Sequence, residues 1–247
     1  IADMAGATRD AVIDDLLSSK AIYRAPGGAY VASDVYLSGN VRQKLREARA
    51  SLEDGEDMQA SIDALIAVQP ADVPYFQIEA RFGADWLRPE INRQFIIDTL
   101  GLKNAQENDI VLTRAVTGWR VEVSDRVKNM GGIQDITGAP PSGSRGTGLS
   151  LRRFLEATLN TQTITVTYAD DDGTYKDTKA TEQANQKAGE MRQKFGAWLW
   201  SDPERRVEAE RAYNDIMNAI ATPQIDGSFL EFPGMALARG DQPFNLR

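Results

Sequence analysis

Between Thr181 and Trp200 the apolar residues fall at Ala184, Ala188, Met191, Phe195, Trp198 and Leu199. That three- and four-residue spacing lines one face of an α-helix. Asp202 and Pro203 follow at once. An aspartate accepts hydrogen bonds from the free N–H groups of a first helical turn, and proline suits the first helical position because its missing N–H has no partner there. A second helix is expected from Pro203 to about Ile220, with Val207, Ala212, Tyr213 and Ile216 turned toward the first. So short a link implies an antiparallel pair. No other segment limits the fold as tightly.

At the other end, Ala2, Gly6 and Val12 stand at the offsets of a helix-turn-helix: a small residue at the crossing, a glycine in the turn, an apolar residue on the second helix. Thr8 caps that second helix, whose inner face uses Val12, Ile13, Leu16 and Leu17. Ala21–Arg24 and Ala29–Ala32 around Pro26-Gly27-Gly28 read as a β-hairpin. Residues 1–37 are thus expected as a winged-helix-like unit. DNA contact through the second helix is opposed by Asp10, Asp14 and Asp15 against the single Arg9, which favours a structural or protein-contact role.

A helical subdomain is expected over residues 38–107. Ser38 reads as an N-cap with Leu37 stapling onto the first turn, and Val41, Leu45 and Ala48 form the apolar stripe. Arg42, Lys44, Arg46 and Arg49 follow, opposed only by Glu47 before the acidic Glu53–Asp57 turn. A run of this kind tracks a DNA backbone or simply forms a solvated helix face. A second helix, Met58 to Val68, shows Ile62, Leu65, Ile66 and Val68. A short helix is expected from Phe76 to Phe82, and another from Pro89 to Thr99, ended by Gly101, with Ile91, Phe95, Ile96 and Leu100 in the core.

Residues 108–177 read as an α+β subdomain. Ile110–Val116 and Trp119–Val123 alternate as a hairpin about Thr117-Gly118. Glycines and prolines then crowd from Gly131 to Gly148, a long loop that ends in Gly143-Ser144-Arg145-Gly146-Thr147-Gly148. It opens a helix carrying Leu151, Phe154, Leu155 and Leu159, with Arg152 and Arg153 beside them. Glycines and an arginine at a helix N-terminus suit a phosphate, but the motif is weak and a plain connecting loop is the commoner account. The Gly-Lys-Ser/Thr ending of a nucleotide loop is missing. A strand from Thr163 to Tyr168 leads into Asp170-Asp171-Asp172-Gly173, which reads as a turn because calcium loops alternate their ligands. The helical hairpin occupies 178–222, where Trp198 and Trp200 read as packing residues rather than base-stacking platforms. Residues 223–247 form an extended tail. The class is α+β, mostly α-helical, with the winged-helix-like unit, a helical middle, a small β-hairpin region and the C-terminal pair.

There is no cysteine and no histidine among the 247 residues. Disulfides, thiolate metal sites and imidazole-dependent nucleophile or zinc chemistry are therefore excluded within the chain. No apolar run approaches the length of a membrane span. Charge is uneven: residues 1–109 hold 11 basic and 18 acidic side chains, 110–168 hold 7 and 4, and 169–247 hold 10 and 14, for a net of −8. DNA contact, if present, is expected from the middle. A carboxylate-based nuclease or hydrolase would need clustered acids, and Asp170–Asp172 is the only run.

Tyr36-Leu37-Ser38-Gly39-Asn40-Val41-Arg42 resembles a signature of very large phage- and plasmid-encoded proteins that fuse a DNA adenine methyltransferase to a Swi/Snf-type helicase, the DarB-like antirestriction group. Phe82-Gly83-Ala84-Asp85-Trp86-Leu87-Arg88-Pro89 is similar to the same family, which writes an apolar residue, Gly, a small residue, any residue, Trp, an apolar residue and Pro. Arg145-Gly146-Thr147 and Leu159-Asn160 resemble its Gly-Thr and Leu-Asn positions, apart from a Pro-rich insert before them. Trp198–Arg206 and Asp226–Met235 are close to it as well. The resemblance implies a place between the methyltransferase and helicase parts, with a first helicase motif beyond Arg247. The chain opens on Ile1 within an apolar pattern, which reads as a piece of a longer protein.

The methyltransferase Asn/Asp-Pro-Pro-Tyr motif, the Walker lysine motif and the Asp-Glu-x-His/Asp box are all missing, so no catalytic residue carries over and no cofactor is expected here. In the parent, the resemblance implies S-adenosylmethionine, ATP and Mg. The expected function is a noncatalytic DNA-engaging coupler contributing to target recognition. Its candidate contacts are Arg114, Arg120, Arg126, Lys128, Arg145, Arg152 and Arg153, then Arg42, Lys44, Arg46 and Arg49. The alternative is a scaffold or protein-docking module that does not bind DNA. Expected partners are duplex DNA and the flanking domains, with no membrane. The setting is the cytoplasm of a bacterial host or a phage virion.

Overall fold

Asn40 caps the long basic helix, its side chain accepting from the Gln43 N–H at 2.9 Å in the computed structural model. Ser38, the expected cap, donates instead to the Val35 carbonyl at 3.3 Å. Gly39 and Asn40 are already engaged as a two-residue strand against Ile220–Ala221, with Gly39 at φ +70. The helix therefore starts at Val41, directly after that pairing.

The structure describes residues 8–102, 104–128, 136, 148–170, 173–223, 238–239 and 242–243. They form a mostly helical α+β protein with short antiparallel strand pairs. Two units divide the chain: Ile1–Pro70 with Ala219–Arg247, and Ala71–Asn218. The first boundary falls inside residues 38–107 and the second inside 178–222.

In the first unit, α1 (Arg9–Ser18) is capped by Thr8, which accepts from the Ala11 N–H at 3.4 Å. Its Val12, Ile13, Leu16 and Leu17 share a face as the spacing predicts, yet all four stay half-buried. Ala2 and Gly6 lie outside the described residues. β1 (Ile22–Arg24) pairs with β2 (Tyr30–Ala32) around Pro26–Gly28. After β3 (Gly39–Asn40) come α2 (Val41–Glu53) and α3 (Gln59–Ala67). Their core joins Tyr23, Tyr36, Val41, Leu45, Met58, Ile62 and Leu65. Ile66, expected inside, is 49% exposed. Ser61 is buried in its stead because its hydroxyl donates to the Arg24 carbonyl at 2.8 Å, tying α3 to β1.

The second unit contains α4 (Pro89–Thr99), β4 (Ile110–Ala115), β5 (Gly118–Val123), α5 (Leu151–Leu159), β6 (Thr167–Asp170), β7 (Gly173–Lys176), α6 (Thr178–Ser201) and α7 (Pro203–Ile216). The Asp202 carboxylate accepts from the Arg205 N–H at 2.8 Å and starts α7. α6 buries Ala184, Ala188, Met191, Phe195 and Leu199, as its spacing requires. Of the expected α7 face, Ala212 and Tyr213 pack against the core, but Val207 is 69% and Ile216 57% exposed while Ala209 and Asn214 are buried. Asn214 decides this: its amide donates to the Val73 carbonyl at 2.9 Å and accepts from the Val73 N–H at 2.8 Å. That face covers an extended backbone, whose polar groups need a polar partner.

Three further expectations shift. Phe76–Phe82 is no helix but a single 3-10 turn, Tyr75–Gln77, after which the chain extends through Ile78 toward Gly83. The β4–β5 turn is Val116-Thr117, because Ala115 pairs with Gly118. Gly118 belongs in the ladder at φ +118, where a Cβ would lie 2.3 Å from the Asn160 side-chain oxygen. Among the described residues, 163–166 pair with no strand. Val166 N–H donates to the Thr181 hydroxyl at 3.0 Å, and Ile164 exchanges two bonds with the Asn185 amide, so α6 side chains replace a ladder.

Asp109 ties the turn before β4 to the end of β5. Its carboxylate accepts from the Ser124 hydroxyl at 2.5 Å and the Gln106 N–H at 2.7 Å, with Arg126 at 3.7 Å. The Ser124 bond first, then the Gln106 N–H and the Arg126 charge, hold its pKa below the ordinary aspartate value. A depressed folded value makes this stabilisation complete above the unfolded value, about 4, and removes it as pH falls through the lower folded value. The urea midpoint is therefore expected to drop more steeply below about pH 4 in the wild type than in Asp109→Asn, which is less stable at neutral pH.

Candidate nucleic-acid interface

Helix α5 is fixed by Ser150, whose hydroxyl accepts from the Arg153 N–H at 3.2 Å. Leu151, Phe154, Leu155 and Leu159 then turn into the core, which leaves Arg152 and Arg153 in solvent. The neighbouring strand β5 buries Trp119 and Val121 by alternation, so Arg120 faces out between them. Asn160 locks strand to helix. Its amide accepts from the Trp119 N–H at 2.8 Å and donates to the Trp119 and Glu156 carbonyls at 2.9 and 2.8 Å.

The result is two arginines on one carboxylate, with Arg153 beside them on the same helix as Arg152. Glu156 lies 3.7 Å from Arg120 and 3.5 Å from Arg152, and it accepts from the Val121 N–H at 3.3 Å. Arg120 and Arg152 remain 62% and 55% exposed. Arg153 makes no ion pair among the described residues. Beside them lies a cleft of about 150 Å³ lined by Arg152, Arg153, Glu156, Ala157, Gln162 and Thr163. Glu122 shares the solvent side of β5 with Arg120, so the local excess of positive charge is small.

The remaining candidates are placed differently. Arg114 pairs with Asp85, and its guanidinium sits 5.0 Å over the Trp119 ring. Arg126 donates to the Asn104 carbonyl and faces Asp109. Lys128 (its side chain) and Arg145, with the whole glycine-rich loop from 129 to 147 apart from Ile136, lie outside the described residues, as do Asp171, Asp172 and residues 226–235. Arg42 is corrected as a DNA candidate: it is buried and donates to the Pro70 carbonyl at 3.0 Å. Lys44 is corrected too. Its ammonium donates to the carbonyls of Val35, Tyr36 and Ser38 at 2.7, 3.1 and 2.8 Å, and burial pushes its pKa below the usual lysine value. Arg46 and Arg49 stay exposed on α2, in the first unit.

A sum over residues 110–168 overstates the basic character because Asp85 and Asp109, which come from outside that window, sit against Arg114 and Arg126. Glu156 was legible from its i, i+4 spacing to Arg152. Asn160 was not, since its partners lie across the fold. Trp198 packs on Phe95 at 5.2 Å, with the Arg205 guanidinium 3.9 Å over its ring, and Trp200 lies 5.8 Å from Tyr75. Asp170 accepts from the Gly173 N–H at 3.0 Å, a turn bond. Among the described residues no group of three or more acidic side chains forms a metal site, and no helix is long and apolar enough to cross a membrane.

A family model described as a domain of unknown function (DUF8437) matches residues 81–219, more than half of the chain. No curated protein and no solved structure matches it.

Proposed function

The chain belongs to the DUF8437 family, and we propose that it is a noncatalytic coupling segment that touches duplex DNA through Arg120, Arg152 and Arg153. Arg120 and Arg152 on the Glu156 carboxylate, with exposed Arg153 lining the same open polar cleft, carry the reading. Glu156 holds two of them loosely, and each guanidinium keeps N–H donors for a phosphate. The setting comes from the sequence resemblance: a place between the methyltransferase and helicase parts of a DarB-like fusion, in a bacterial cell or a phage particle. The flanking parts would bind S-adenosylmethionine, ATP and Mg.

A 20-base-pair duplex titrated by fluorescence anisotropy at about 50 mM salt tests this, with a dissociation constant expected near the nonspecific range of about 10⁻⁴–10⁻⁶ M. Replacing Arg120, Arg152 and Arg153 with Ala together is expected to weaken binding at least about tenfold and flatten the log–log salt slope by roughly 3. An unchanged slope in that variant would remove the DNA contact from this face.

A second reading, a scaffold or docking module without DNA binding, has its own observation. Arg88, Arg93, Arg114, Arg126 and Arg211 all sit against carboxylates, and Arg42 and Lys44 are turned onto backbone carbonyls. It predicts no duplex binding at low salt together with retained affinity for the flanking domains.

A further inference from the structure

Helix α3 forms one side of an open groove in the first unit. Ala60, Ala64 and Ala67 make its floor, and Leu17 of α1, Ile22 of β1 and Leu37 make its apolar walls. The hollow holds about 830 Å³. Through Leu37, Ala67 and Val68 it continues into a second hollow of about 660 Å³ beside Ser33, Asp34 and Pro70. Alanines four and three residues apart leave a shallow channel along a helix, into which the ridge of another helix fits closely. A floor of this length matches about two to three helical turns.

The rim has a charge of its own. Asp14, Asp34, Asp57 and Asp63 border the two hollows, against Lys20 and Arg24. Among the described residues none of the four aspartates makes an ion pair: Asp63 accepts from the Gln59 amide at 2.8 Å and Asp34 from the Val35 N–H at 2.9 Å. Arg24 donates to the Tyr30 hydroxyl at 3.3 Å and also feels the charge of Asp57, so it offsets part of the rim. Nearby on α1, Asp10 and Asp15 are exposed as well.

We propose that this groove docks a cationic amphipathic α-helix of a partner protein. The apolar side of that helix lies on the alanine floor, and its lysines or arginines reach the aspartate rim. Helix-in-groove recognition uses this division, with apolar burial for affinity and rim charge for choice of partner. The acidity of α1, which repels nucleic acid, thereby acquires a use. The proposal concerns the first unit alone and stands or falls independently of the arginine cluster in the second.

The test uses the full chain and two fluorescein-labelled peptides of about fifteen residues, long enough for four helical turns. Both carry a Leu/Ala stripe, one with Lys on the remaining face and the other with Glu. The Lys peptide is expected to bind with a dissociation constant on the order of 10 μM and the Glu peptide not to bind measurably. Ala60→Trp and Ala67→Trp, at exposed positions where folding tolerates the change, are each expected to weaken the Lys peptide about tenfold by filling the floor. Combined Asp14→Asn, Asp57→Asn and Asp63→Asn is expected to do the same and to reduce the salt dependence. Far-UV circular dichroism checks that each variant stays folded. Equal binding of both peptides, or Lys-peptide binding untouched by the tryptophans, overturns the proposal. So does binding that appears only after residues 1–7 or 224–247 are deleted, which assigns the groove to the chain itself, or self-association that competes with the peptide, which assigns it to a second copy.

Discussion

Gly83→Ala is expected to destabilise the Ala71–Asn218 unit by about 3 kcal/mol or more, among the largest effects of any single methyl group in this protein. Gly83 sits at φ +82, and an added Cβ would lie 2.5 Å from the Leu159 carbonyl oxygen and 3.2 Å from the Trp119 indole nitrogen. The left-handed backbone alone costs a residue with a Cβ about 1–2 kcal/mol. The clash adds to it, since Leu159 O is backbone at the end of a packed helix and cannot swing aside. The same displacement strains the Trp119 indole bond to the Gly83 carbonyl, 2.7 Å, and the Gly83 N–H bond to the buried Asn92 amide, 3.0 Å. Gly101→Ala separates the two contributions. Gly101 has φ +67 but nothing within 4 Å of its would-be Cβ, so a loss of only about 1 kcal/mol is expected there. All four tryptophans, Trp86, Trp119, Trp198 and Trp200, fall within Ala71–Asn218, so urea melts followed by tryptophan fluorescence report on this unit. Equal losses for the two variants would mean that the close approach to Leu159 is unimportant.

Phe195→Ala is expected to cost about 3–5 kcal/mol by the same measurement. Phe195 is fully buried and meets Phe95 edge-to-face at 5.0 Å and Phe82 at 5.4 Å, while Phe82 and Phe95 are themselves 5.0 Å apart. Each ring comes from a different part of the unit: α6, α4 and the extended run into Gly83. Removing one leaves a cavity bounded by two rings held in place by their own helices and turn, so collapse is limited. Phe195→Leu keeps most of the volume and is expected to lose less than about 2 kcal/mol. If both variants cost the same, ring geometry rather than cavity volume holds the cluster.

The two substitutions also bear on what the sequence made legible. The segment from Phe82 to Pro89 stands out by its wording, and its physical content is a glycine conformation and a close approach that spacing cannot express. Phe195, by contrast, was assigned to the core from helical periodicity alone. The C-terminal pair followed from local rules, as did the Asp202 cap and the N-terminal hairpin. Errors arose where a polar contact overrode an apolar preference. Asn214 turned α7 so that Val207 and Ile216 face solvent, Ser61 displaced Ile66, and the Gly39–Asn40 strand moved the cap from Ser38 to Asn40.

The candidate site divides in the same way. Arg152, Arg153 and Glu156 could be put on one helix by counting, and Arg120 on the outer side of a strand by alternation. Their meeting depends on Asn160, which reads both backbone groups of Trp119 from a helix end 41 residues away. Arg42 and Lys44 could not be told from Arg46 and Arg49 by sequence, because all four stand in one basic run.

By itself, the sequence determined the class of the protein, the positions of its principal helices and hairpins, and the chemistries that a chain without histidine or cysteine does not perform. Those properties follow from residue type and short-range spacing, and such interactions are settled within a few residues. Only the tertiary structure decided which cations remain available to a partner, which helix faces are covered, and where the chain divides into units. Each of these depends on a carbonyl, carboxylate or ring brought from far along the chain, and the energy of a charge or an apolar face is set by what lies across from it.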